Sequence, residues 1–82
     1  MKTENIESSL GDVGYRLRLL RAKKGFANST DFARKHDLPE KVYWKMENGK
    51  RNITLAFLIR VLHIHQISLE EFFCMDIKKA AA

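Results

Sequence analysis

From Val13 to Phe73 apolar residues recur at spacings of three and four, and no stretch alternates as a half-buried strand would. The pattern predicts five helices. The first runs from Val13 to Lys24, turns Val13, Leu17 and Leu20 inward, and stops at Gly25. Asn28 or Ser29 caps the second, which buries Phe32, Ala33 and His36. Asp37 sits in the next turn, where Asp tolerates a left-handed backbone better than most residues. Pro39 suits the first position of helix three, since its missing N–H would have no partner there, and Gly49 ends that helix. Thr54 caps helix four, placing Leu55, Leu58, Val61 and Leu62 inward. Ser68 and Glu71 make a capping box for a last short helix whose Leu69, Phe72 and Phe73 return to the core. Residues 1–12 are polar, with Ile6 and Leu10 as possible anchors, and read as a loose arm or a short docked turn. Residues 75–82 read as a short frayed tail.

The third helix separates its side chains most sharply. Leu38, Val42, Tyr43 and Met46 fall on one arc, with the Tyr43 hydroxyl expected at the rim. Glu40, Lys41, Trp44, Lys45 and Asn48 fall on the other. That outer arc carries long donors, an acceptor and one aromatic, the groups needed to read base edges in a DNA major groove. A helix held by its back and offered by its front meets the requirement of a helix-turn-helix. Helix one carries a second apolar stripe, Tyr15, Leu19, Ala22 and Phe26, which calls for a cover from the N-terminal arm or from a second subunit. Ile64, Ile67 and Phe73 form an alternative pairing surface.

Charge sharpens this picture. The 82 residues have a formal charge of +5, enough chain for one domain with a single modest core. Between Val13 and Arg60 stand twelve Lys or Arg against four acids, a bias that attracts polyanions or simply solvates a basic surface. The lone Cys74 excludes an intrachain disulfide, and no signal or membrane-length apolar run is present, so a soluble cytoplasmic protein is expected. His36, His63, His65 and Cys74 are the one conceivable metal set, and their spacing matches no zinc site. With no phosphate loop or nucleophile motif either, the expectation is no enzyme, no metal, no cofactor and no small-molecule ligand.

A family resemblance rests on several short pieces in order. They are Gly14, Leu17 and Arg21; Phe32-Ala33; Met46-Glu47-Asn48-Gly49-Lys50-Arg51-Asn52; Thr54, Leu55 and Leu58; and Ser68-Leu69-Glu70-Glu71-Phe72-Phe73. Together they resemble the phage-repressor (Cro/XRE-type) helix-turn-helix domain over about three quarters of the chain. The resemblance implies an all-α, compact five-helix bundle of the repressor-type helix-turn-helix class that binds double-stranded DNA as a homodimer. It also implies an arm at 1–12, the DNA-binding domain at 13–74 and a tail at 75–82. The chain departs from the pattern by one extra residue between Gly25 and Phe32, by Asp37 where Gly is common, and by Pro39 where small hydroxyl residues are usual. It has Ser29 or Asn28 where the family's phosphate-contacting Gln stands, and His65 at a usually apolar position.

Roles follow residue by residue. Lys41 and Lys45 match groove-facing positions and can donate to guanine O6 and N7. Glu40 either accepts from cytosine N4 or offsets the positive end of helix three. Trp44 either contacts a thymine methyl or sugar, or packs over the stems of Glu40 and Lys41 one turn back. Lys50, Arg51 and Asn52 match the family's backbone-contacting loop, and Asn48 is a further phosphate candidate. Ser29 is a helix cap or a phosphate contact. By resemblance, Arg21 and Glu47 form the ion pair that ties helix one to the end of helix three. The expected function is sequence-specific DNA binding by a repressor-like transcriptional regulator. The alternative is a protein-interaction module, antitoxin-like, that binds a protein partner.

Overall fold

The computed structural model describes residues 6–50 and 53–74. Its elements are α1 (Ile6–Lys23), α2 (Ser29–Lys35), α3 (Glu40–Glu47), α4 (Leu55–His65) and α5 (Leu69–Phe73). The described residues are all-α, with five helices and no strand, as expected. The chain divides into two units, Met1–Asn52 with α1 to α3, and Ile53–Ala82 with α4 and α5.

Four helices end in the same way. After α1, Phe26 N–H donates to the Arg21 carbonyl and Gly25 N–H to the Ala22 carbonyl. Leu38 to Ala33 with Asp37 to Arg34 repeats this pair after α2, Lys50 to Lys45 with Gly49 to Met46 after α3, and Ile67 to Leu62 with Gln66 to His63 after α4. Each pair satisfies carbonyls the helix would leave bare, and each requires one left-handed residue. Those residues are Gly25, Asp37, Gly49 and Gln66, all at positive φ. The tight turn between α2 and α3 thus runs through Asp37 at φ 59°, as its identity predicts.

In the first unit Leu17, Leu20, Phe32, Ala33, Leu38, Tyr43 and Met46 are buried. Phe32 is the hub: its ring lies 5.1 Å from Tyr43, 4.7 Å from His36 and 5.4 Å from Phe26. Burying a side chain of this size contributes roughly 1.5–3 kcal/mol, and the Phe32–Tyr43 contact joins α2 directly to α3. Phe26 and the half-buried His36 complete it, so the end of the second helix-one stripe is covered from within the unit; Tyr15 and Leu19 are half-buried and Ala22 is exposed.

In this first unit three residues or bounds depart from the sequence expectation. α1 begins at Ile6, not Val13. Ser8, Ser9 and Gly11 are weak helix formers that hide the extra turns from a propensity reading. Packing compensates, since Gly49 lies close to the backbone of Leu10 and Gly11, where an added β-carbon would stand 3.1 Å from the Gly11 nitrogen. The Tyr43 hydroxyl is buried rather than at the rim, because the whole side chain is buried, with its ring against Phe32 of α2. Pro39 is the N-cap residue, one position before the first helical residue.

In the second unit Leu58, Val61, Leu62 and Phe72 are buried. Thr54 Oγ1 accepts from Phe57 N–H at 3.2 Å, and Ser68 and Glu71 form the expected reciprocal capping box. Leu55 and Phe73, expected inward, are instead 60% and 51% exposed. Leu55 is the first helical residue, at the edge of the inward arc. Phe73 follows Phe72 directly at the end of the short α5, and the step of about 100° around the helix carries its ring out of the arc that Phe72 buries. The two rings meet edge to face at 5.0 Å.

Candidate nucleic-acid interface

The back of α3 is fixed by three buried residues, Tyr43, Met46 and Glu47. Glu47 is the one that needs a partner, because an unpaired buried carboxylate is strongly unfavourable. Arg21 of α1 supplies it in a two-pronged contact, with Nε to Oε2 at 2.8 Å and Nη2 to Oε1 at 3.0 Å. Arg21 Nη1 also donates to the Phe26 carbonyl at 2.9 Å, so one guanidinium ties α1, the α1–α2 loop and α3. The Glu47 hydrogen bond raises the Arg21 pKa above its ordinary value. Arg21 and Glu47 therefore form a buried ion pair between α1 and the end of α3. Burial, and then the nearby Glu47 carboxylate, push the Tyr43 phenol well above its usual range, although its oxygen has no hydrogen bond of good geometry.

Backbone contact makes the joint closer still. Gly14 in α1 lies against the carbonyls of Met46 and Glu47, leaving no space for a β-carbon. The end of α3 is thus gripped by an ion pair at Arg21 and by bare backbone at Gly14.

On the opposite side, Glu40, Lys41, Trp44 and Lys45 are exposed. With Thr30 of α2 they line one open surface hollow of about 340 Å³, whose wall is mostly carbon. Trp44 is 48% exposed, and Asn48 Nδ2 donates to its carbonyl at 2.8 Å. Glu40 accepts from Arg34 Nε at 2.9 Å across the α2–α3 turn, in a pair open to solvent on both sides. Its carboxylate is thus partly offset rather than left bare toward an incoming polyanion. All four residues expected to face bases fall together. Thr30 and Arg34 were missed, although the opposite charges of Arg34 and Glu40 on either side of a tight turn are a readable signal.

The remaining candidates sit around this face. Asn28, not Ser29, caps α2, its side chain accepting from Asp31 N–H at 2.9 Å, while Ser29 is buried. Gly49 redirects the chain so that exposed Lys50 follows the end of α3. Arg51 and Asn52 lie outside the described residues. The described residues contain no His, Cys, Asp or Glu group able to hold a metal ion, and no helix among them is long and apolar enough to cross a membrane. His36 is held below its ordinary pKa, first by burial and then by Lys24 and Lys35.

Comparison with known proteins gives one informative relative. The chain is 38% identical over 66 residues to control protein C.MunI of a Mycoplasma species, covering 80% of this chain and 88% of that protein. No family model matches, and no solved structure matches.

Proposed function

The chain belongs to the family of control protein C.MunI, and we propose that it is a small transcriptional regulator that binds double-stranded DNA sequence-specifically through α2 and α3. The observation that carries this reading is the division of α3, with Tyr43, Met46 and Glu47 anchored and Glu40, Lys41, Trp44 and Lys45 sharing one open face. In this reading α3 enters the major groove. Lys41 and Lys45 donate to guanine O6 and N7, and Glu40, held by Arg34, either accepts from a cytosine amine or serves the helix end. Lys50, with Arg51, Asn52 and Asn48, lies against phosphates and sets register without reading sequence, and the buried Ser29 side chain drops out of this set. Two copies on half-sites about one helical turn apart supply the specificity a single short helix lacks. Occupying an operator then blocks or recruits transcription.

The test is selection of bound sequences from random duplex DNA, with Lys41→Ala and Lys45→Ala in parallel. The wild type enriches a motif with two related half-sites, and each variant loses information at specific columns. A wild type that enriches nothing sinks sequence-specific regulation. Variants that recover the wild-type motif unchanged remove Lys41 and Lys45 as readers.

A further inference from the structure

We propose that the hollow between Thr30 and α3 receives the C5-methyl group of a pyrimidine, with the Trp44 indole as its floor, so that Trp44 determines specificity at one position of the site. The inference rests on the DNA-binding reading above. The hollow is predominantly apolar yet sits among charges: Lys41 and Lys45 line it, and Glu40 at its edge is drawn toward Arg34. The neighbouring polar side chain already has a use inside the protein, since Asn48 closes on the Trp44 carbonyl. Trp44 has none that accounts for its position. A large ring left 48% exposed on a polar helix face keeps apolar area in water that a ligand would remove.

The major groove offers few complements to such a surface. Base-pair edges there present acceptors, amine donors and, as the one apolar group, the C5-methyl of thymine. 5-Methylcytosine presents the same methyl beside an amine. At about 340 Å³ the open hollow admits the edge of a base along with its methyl. Lys41 and Lys45 on its wall are long enough to reach acceptors on the neighbouring base pairs. Thr30 of α2 also lines it, so the wall is built by both helices of the motif rather than by α3 alone.

The experiment changes the DNA first, which leaves the protein's folding untouched. Binding sites are selected from one random duplex library containing dT and from a matched library containing dU, which lacks every thymine methyl. The selected duplex is then titrated with dT, dU, dC or 5-methyl-dC at the column that responds to Trp44→Ala. With wild-type protein, dU binds about fourfold more weakly than dT, the factor expected for one buried methyl at about 0.8 kcal/mol. Trp44→Ala abolishes that ratio while keeping its thermal melt and its salt dependence. A methyl effect at dT alone assigns the hollow to thymine, and an effect at both pyrimidines assigns it to the methyl whichever ring carries it. Equal binding of dT and dU by the wild type, or an unchanged ratio in Trp44→Ala, overturns the inference while the DNA-binding reading stands. Failure to enrich any motif from the dT library is the separate failure of that reading and takes the inference with it.

Discussion

Gly14 of α1 packs on the backbone of Glu47 in α3, with the Met46 carbonyl oxygen 2.7 Å from where a β-carbon would sit. Backbone cannot swing aside as a flexible side chain can, so this joint sets how α3 is carried on α1. Gly14→Ala ordinarily favours a helix by about 1 kcal/mol, and here the clash reverses the sign. Overpacking of this kind costs about 1–3 kcal/mol. The expected outcome is a lower melting temperature, with Gly11→Ala as the control that rises or holds, since nothing stands near a β-carbon at Gly11. Equal responses at Gly11 and Gly14 would contradict the close approach.

The Arg21–Glu47 pair beside that joint is the second test. Both side chains are buried, so removing either leaves a charge without its partner, and Glu47→Ala is expected to cost about 3 kcal/mol or more. Arg21→Met combined with Glu47→Leu removes both charges and fills similar volume. Chemical denaturation should find the double variant less destabilised than Glu47→Ala. A double variant as unstable as the sum of its singles would mean that the two residues act independently.

His36 makes stability depend on pH. Burial, Lys24 and Lys35 hold its pKa below 6.5 in the folded chain, so the unfolded chain binds its proton more readily. The neutral ring's contribution is complete above the unfolded value of 6.5 and is lost as pH falls toward and past the folded one. Melting temperature should therefore fall between pH 7.5 and about 5, more steeply in the wild type than in His36→Gln. Parallel curves for the two proteins would assign the acid sensitivity elsewhere.

How far the sequence alone reached is seen in particular residues. The Leu38, Val42, Tyr43 and Met46 arc foretold which side of α3 is held, because burial follows helical period whatever the partner is. Asp37 foretold the turn, since few residues tolerate positive φ. Gly14, by contrast, fits the family pattern but carries no local signal of its role. That role rests on a contact between residues 33 positions apart that no local rule describes. The early start of α1 was hidden for a similar cause: Ser8, Ser9 and Gly11 argue against helix locally, and the close approach of Gly49 to Leu10 and Gly11 lies outside any local pattern. At the candidate site, α3's own period gathered Glu40, Lys41, Trp44 and Lys45. Thr30 and Arg34 belong to another helix and enter through the geometry of the turn.

The Arg34–Glu40 pair gives the final prediction, because it separates stability from binding. Both side chains are solvent-exposed, so the pair's attraction is screened and offset by the entropy of ordering two long chains. Glu40→Gln should leave the melting temperature nearly unchanged. Its effect on DNA follows from charge: one carboxylate leaves the face, and Arg34 becomes available to a phosphate. Each phosphate neutralised adds about 0.9 to the slope of log affinity against log salt. Titration with duplex DNA across a salt series should show tighter binding at low salt and a slope steeper by about one. If Glu40 also accepts from a cytosine amine, the same variant loses preference for that base pair while gaining affinity for random DNA. An unchanged slope with unchanged preference would place Glu40 away from the duplex and return it to the helix-end role.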